Sequence, residues 1–214
     1  MSPYDFYFST PRLYLSYCDP SSDAHCDFVL ELLHGAPSLR RHPGIVEEVP
    51  DRDAARRIIA NGDEKLRTTG YGRYLVSLKP HPAEEDEETG VPFSQRKLEH
   101  IGYVTMQLAR VQGEQAPTMP DLGFNMIERY HGKGYATEAA QGLIKYFGDE
   151  KGVKEIAGLT DPDNKEAQKL FRRVGFKNHG VRRVKGVRWS GEALDVDVWT
   201  WGLEDGKKLE DFGF

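Results

Sequence analysis

The sequence predicts an α+β fold in which about seven strands are flanked by about four helices. Three observations lead there. The run from Asp121 to Phe147, DLGFNMIERYHGKGYATEAAQGLIKYF, passes from period-two alternation to helical spacing across a loop built on Gly132-Lys133-Gly134. Six other segments carry the alternation or the β-branched and aromatic content of strands. Three others place apolar residues three and four apart, as helices with one buried face do.

In chain order, Phe8 to Leu15 (FSTPRLYL) reads as an opening strand, with Leu13 and Leu15 alternating with polar neighbours after a proline that suits an edge. A helix follows from about Asp23 to His34, with Phe28, Val29, Leu32 and Leu33 inward and Gly35 at its end. Another spans roughly Asp51 to Asn61. Arg73–Leu78 and Ile101–Leu108 are strand-like and suit an antiparallel pair, with Gly102 placed for a bulge. Between them, about residues 80–99, the run Glu84-Glu85-Asp86-Glu87-Glu88 repels itself and predicts an exposed acidic insertion. After the central helix, Val153–Thr160 is a strand and Asp161-Pro162-Asp163-Asn164 a turn. Asp163 with Glu166 has capping-box spacing for a helix carrying Ala167, Leu170, Phe171 and Val174 and closed by Gly175. Two last strands, about Phe176–Trp189 and Leu194–Trp201, flank a turn at Ser190-Gly191-Glu192, and a polar tail covers about residues 204–214. One domain over residues 1–214, with its core at about 8–203, is the expected organisation.

The central loop carries the chemistry. The first amides of a helix have no intrahelical acceptor and sit at the positive end of its dipole, so a glycine entry lets a phosphate approach them closely. A P-loop requires Lys followed by Ser or Thr, whereas Lys133 is followed by Gly134 and Tyr135. A dinucleotide fingerprint requires a third glycine where Thr137 stands.

Composition narrows the class. At 214 residues and 38% apolar content the chain has enough apolar sequence for a core. No apolar run reaches membrane-helix length, and MSPYDFYF lacks a basic-then-apolar leader, which predicts a soluble cytoplasmic protein. Cys18 and Cys26 are too few for a disulfide framework or a zinc site, so reduced thiols and no metal are expected. The net charge of −5 argues against nucleic-acid binding and against no amine substrate.

His131-Gly132-Lys133-Gly134-Tyr135-Ala136 resembles the Q/R-x-x-G-x-G/A acetyl-CoA loop of the GNAT acetyltransferase superfamily, with His131 where Gln or Arg is usual. The alternative frame Arg129 to Gly134 satisfies the pattern literally; the first frame leaves Ala136 opening the helical stripe. GKGYATEA and Thr10-Pro11-Arg12-Leu13-Tyr14-Leu15 resemble the branch that acetylates the N-termini of ribosomal proteins, the ribosomal-protein-alanine acetyltransferases. Asn164, Ala167, Phe171 and Gly175-Phe176 resemble the superfamily's N-x-x-S/A-x-x-x-Y-x-x-x-G-F signature. These matches run from Thr10 to about Leu203.

The resemblance implies a mixed, mostly antiparallel twisted sheet and an acetyl-CoA-dependent N-acetyltransferase, a monomer or homodimer acting without metal on a protein N-terminus or small amine. It implies that the backbone amide of Met126 serves the thioester oxygen. It further implies that Met126, Ile127, His131, Gly132, Lys133, Gly134, Tyr135, Ala136, Asn164 and Phe171 bind the coenzyme. Asp121 is the first candidate base, with Glu128 and His131 as alternatives. Phe171 stands where relatives have a proton-donating tyrosine and cannot donate. Arg40, Arg41 and His42 lie in the segment that in the family helps to line the acceptor site. The other reading is a protein of the same fold that senses an acyl-CoA without turnover; a nucleotide-binding α/β domain is a third.

Overall fold

The computed structural model describes residues 2–80, 90–109, 116–187 and 192–214. The chain forms two compact units, one of Met1–Val104 with Phe124–Ala139 and one of Thr105–Gly123 with Ala140–Phe214. Among the described residues there are eight strands and six α-helices, so the α+β expectation holds with one strand and two short helices more.

The first unit opens with a hairpin, β1 (Tyr7–Ser9) and β2 (Leu13–Ser16), where one strand was expected. Pro11 cannot donate to a ladder, and Thr10 instead turns the chain, its amide bonding to Leu13 O at 2.9 Å. Helix α1 (Asp23–His34) starts at Ser22, whose hydroxyl accepts from His25 N. It buries Cys26, Phe28, Val29 and Leu32, close to the expected stripe. Gly35 leads at once into α2 (Ala36–Arg41) and then α3 (Ile45–Glu48), a segment whose weak periodicity hid both. Helix α4 (Arg52–Thr69) runs eight residues past the expected end at Asn61. Gly62 inside it costs about 1 kcal/mol against Ala, and burial of Leu66 beyond it, with the Tyr4 and Arg67 bonds to Asp63, works against that cost. Asp63 accepts from Tyr4 Oη at 3.1 Å and Arg67 Nε at 2.9 Å. Strands β3 (Gly72–Leu78) and β4 (His100–Gln107) are neighbours in the sheet. The acidic run 84–88 lies outside the described residues.

Strand β5 (Asp121–Met126) leads through a short 3₁₀ turn and the glycine loop into α5 (Tyr135–Lys151). The predicted stripe holds: Ala139, Ala140, Leu143 and Phe147 are fully buried. In the second unit, β6 (Ile156–Thr160) pairs in parallel with β5 through Asp121↔Ala157 and Leu122↔Gly158. Helix α6 (Lys165–Val174) is capped by Asn164 and not by Asp163: Asn164 Oδ1 accepts from Ala167 N at 3.1 Å, while Glu166 pairs with Lys169. Strands β7 (Lys177–Val184) and β8 (Leu194–Trp201) complete the sheet order β1-β2-β3-β4-β5-β6-β8-β7. Of the turn expected between them, residues 190 and 191 lie outside the described residues. The polar tail is anchored, because Leu209 packs with Val184, Val187, Val196 and Val198.

A half-buried histidine pair marks the first unit. The Ser77 hydroxyl and His100 Nδ1 are 2.9 Å apart, and the ring of His25 lies 4.9 Å from that of His100, edge to face. His25 Nδ1 accepts from Asp19 N, and Phe28 packs on His100. Burial, reinforced by His25, lowers the His100 pKa from 6.5 to about 4. The unfolded chain therefore takes up this proton first, and stability present above pH 6.5 is lost as pH falls toward 4, by on the order of 3 kcal/mol. Urea unfolding at pH 7.5 and 4.5 is expected to show a smaller difference in His100→Gln than in the wild type; an equal difference would count against the pair.

Candidate active site

The glycine loop is open. Gly132 and Gly134 adopt φ of +74° and +81°, a region L side chains seldom enter, and both are exposed. A Cβ on Gly132 would meet nothing within 4 Å. Glu138 N bonds Gly134 O at 3.0 Å, so the helix begins at the glycine loop and the amides of its first turn face the loop. Such a mouth has the shape and polarity for a diphosphate.

The loop is held from β1 and β2. Glu138 accepts from Thr10 Oγ1 (2.6 Å), Arg12 N (2.8 Å) and Arg12 Nε (2.6 Å). Burial works to raise the Glu138 pKa, but the Thr10 and Arg12 bonds outweigh it and hold the carboxyl below its usual value. Arg12 also donates Nη1 to Lys133 O at 3.2 Å and stacks over the Tyr135 ring at 4.6 Å. Its side chain is 49% exposed, which leaves a cation facing solvent beside the loop. Two motifs matched separately in the sequence, at Thr10–Leu15 and at Gly132–Ala139, are thus one hydrogen-bonded device. Sequence reasoning noticed both and missed the link, although an Arg in one motif and a Glu in the other was the available signal.

His131 fits its unusual position by a different bond. Its Nε2 lies 2.9 Å from the carbonyl of Met126, which can only accept, so Nε2 carries the proton and the ring ties the loop to the end of β5. Lys133 Nζ sits 5.2 Å over the Tyr130 ring, and the Tyr130 hydroxyl bonds Glu99. Met126 and Ile127 are 5% and 9% exposed. Ile127 N bonds Ile101 O on β4 at 2.9 Å. Because backbone direction alternates along a strand, the Met126 N–H points away from β4. The β5–β6 register ends at Leu122↔Gly158, so Gly123–Met126 lie outside it.

Asp121 is buried, at 7% exposure. It lines a small depression with Gln107, Met119 and Leu159. Glu128 is exposed and pairs with Arg40 at 3.9 Å. Of the second unit's predicted residues, Asn164 spends its oxygen on the α6 cap, leaving its NH₂ to donate. Phe171 is 1% exposed, stacked on Trp199 with ring centroids 5.9 Å apart. Gly158 has no side chain because a Cβ there would lie 2.5 Å from that ring. Among the described residues no cluster of His, Cys, Asp or Glu could hold a metal, and no helix is long and apolar enough to cross a membrane.

The profile of the family described as acetyltransferase (GNAT) domain matches residues 12–177. The chain belongs to the GNAT acetyltransferase family. This GNAT chain is similar to the uncharacterized N-acetyltransferase YnaD of Bacillus subtilis, 28% identical over 86 residues, 37% of this chain and 51% of that protein. It thus spans about half the length of the curated relatives it matches. Among solved structures, the ribosomal-protein-S5-alanine acetyltransferase of Vibrio fischeri shares the fold at TM-score 0.58 and 14% identity, covering 95% of this chain and 100% of that one. RimL, a ribosomal L7/L12 α-N-protein acetyltransferase solved with coenzyme A, does so at TM-score 0.61 and 14% identity, covering 92% and 98%.

Proposed function

We propose that this GNAT protein is an acetyl-CoA-dependent N-acetyltransferase, with the whole chain acting as one catalytic domain. The acceptor is a primary amine, at a protein N-terminus or on a small molecule. The observation that carries the reading is the open, positively phi-twisted glycine loop at the start of α5, braced by Arg12 through Glu138 and Lys133. The amides of Gly132 to Ala136 receive the diphosphate, and Lys133 and Arg12 add charge beside it. The Asn164 NH₂ holds the pantetheine arm, with Phe171 packed behind it.

Acetyl-CoA supplies an activated acyl group as a thioester. Met126 contributes a backbone N–H directed away from β4, suited to the oxygen that gains charge as the amine nitrogen attacks; one such donor is worth roughly 3 kcal/mol in comparable sites. The C–N bond forms, the C–S bond breaks, and the thiolate leaves. The amine proton passes to water, with Asp121 as its eventual acceptor. A thiol pKa of about 8.5 lets the sulfur depart without an acid, which is consistent with a phenylalanine at position 171.

The relatives' printed names favour an N-terminal amine of a ribosomal protein, and Thr10–Leu15 and GKGYATEA favour that branch. Thiol release from acetyl-CoA, assayed with a panel of N-terminal peptides and small amines, tests the reading. Turnover with at least one class is expected. Phe171 favours one alternative, an acyl-CoA sensor, which predicts tight acetyl-CoA binding and no thiol release with any amine.

A further inference from the structure

Among the described residues, one guanidinium beside the proposed oxyanion amide has no carboxylate within ion-pair distance. Arg41, at the end of α2, donates Nε to Pro37 O at 3.1 Å and Nη2 to Asn125 Oδ1 at 2.9 Å. Both acceptors are neutral. By contrast Arg12, Arg40, Arg52, Arg56, Arg67 and Arg129 each pair with a carboxylate. Arg40 is the charged group acting on Arg41, and it repels it. Two of the five guanidinium N–H groups are used, which leaves three, including both on Nη1.

The position is built and not incidental. Asn125 Nδ2 donates to Ser38 Oγ at 3.1 Å, and Ser38, 7% exposed, gives its own proton to Leu32 O at 2.8 Å. With the Ser38 proton committed, its oxygen must accept, so Asn125 is oriented with Oδ1 toward Arg41. Asn125 is also the residue whose peptide bond supplies the Met126 N–H. The chain Leu32–Ser38–Asn125–Arg41 therefore holds a cation against the residue that precedes that amide, while Arg41 itself is exposed to solvent.

We propose that Arg41 recognises the acceptor through an anion, so that the amine acetylated carries a carboxylate close to its nitrogen. This rests on the acetyltransferase reading above and goes beyond it in naming the acceptor's chemistry. The free N–H groups match a carboxylate, and a planar guanidinium held on one side presents them in a set direction. The carboxylate has two possible sources, the α-carboxylate of a free amino acid or an acidic side chain at a peptide N-terminus.

Two matched pairs separate them: an amino acid against its C-terminal amide, and a peptide beginning with Asp against the same peptide beginning with Asn. For the wild type, kcat/KM for the anionic member of one pair is expected to exceed that of its neutral partner by roughly 10- to 100-fold, the range for a charge-assisted hydrogen bond. In Arg41→Met the ratio falls to about one, mainly through KM; Arg41→Lys keeps part of it. The pair that shows the preference assigns the source. No preference in either pair, or a preference that survives in Arg41→Met, overturns the assignment. Acetyl-CoA calorimetry and melting on the same preparations report that each variant is folded. Protein that binds acetyl-CoA and turns over without preference overturns the acceptor chemistry alone. Protein that fails to bind acetyl-CoA, or releases thiol with none of the four amines, overturns the acetyltransferase reading with it.

Discussion

Gly134→Val is expected to weaken acetyl-CoA binding at least roughly 100-fold while leaving the fold intact. Two effects add. At φ +81° a β-branched residue is a steric outlier, so the loop must abandon its conformation. A Cβ there would lie 3.4 Å from Arg12 Nη2, and the valine methyls would stand in front of the first amides of α5, where an anion needs contact at about 2.9 Å. The loop is exposed, so the melting temperature should move by only a few degrees. Isothermal titration of acetyl-CoA into the variant decides the matter. An unchanged dissociation constant would remove the loop from the binding site and take the coenzyme assignment with it.

Gly102→Ala is expected to act on the reaction from behind β5. A Cβ on Gly102 would lie 2.5 Å from Asn125 O and also overlap Met126 Sδ. The sulfur can swing aside, but the carbonyl is backbone, so the end of β5 must shift. Overpacking of this kind costs about 1–3 kcal/mol in stability. A displacement near 1 Å at a positioned catalytic group costs on the order of 10²-fold in rate. The variant should therefore unfold at lower urea and lose kcat, with a smaller loss of acetyl-CoA affinity, because the shift reaches the glycine loop only through the His131 bond to Met126 O. A variant with wild-type kcat and stability would show that the Met126 amide does not need its observed place. The same packing explains Gly102 better than the bulge its sequence suggested: β4 and β5 approach there too closely for any side chain.

Periodicity made the helices legible where each had one apolar face and a marked end. Helix α1 and the stripe of α5 fall where their spacing puts them, because burial of a helix face leaves its mark directly in the residue order. The end of α4 was not legible. Asn61-Gly62 reads locally as a stop, and it takes the burial of Leu66 and the bonds from Tyr4 and Arg67 to Asp63 to carry the helix to Thr69. Helices α2 and α3 are too short to show a period, and the N-cap of α6 moved from Asp163 to Asn164 because both residues are good caps and geometry chose between them. The opening strand became a hairpin at a proline that was visible in the sequence but ambiguous in it.

The residue order alone determined the fold class and the glycine entry to α5, since these rest on local spacing and on residue types that only one backbone conformation tolerates; the family came from the likeness of its motifs to known ones. Residue order could not determine which residues work together. That Thr10 and Arg12 hold Glu138, that His131 reaches back to the Met126 carbonyl, and that Asn125 orients Arg41 are contacts between residues up to 128 positions apart. Hydrogen bonds of this kind depend on distances of a few tenths of an ångström, which only the packed chain sets.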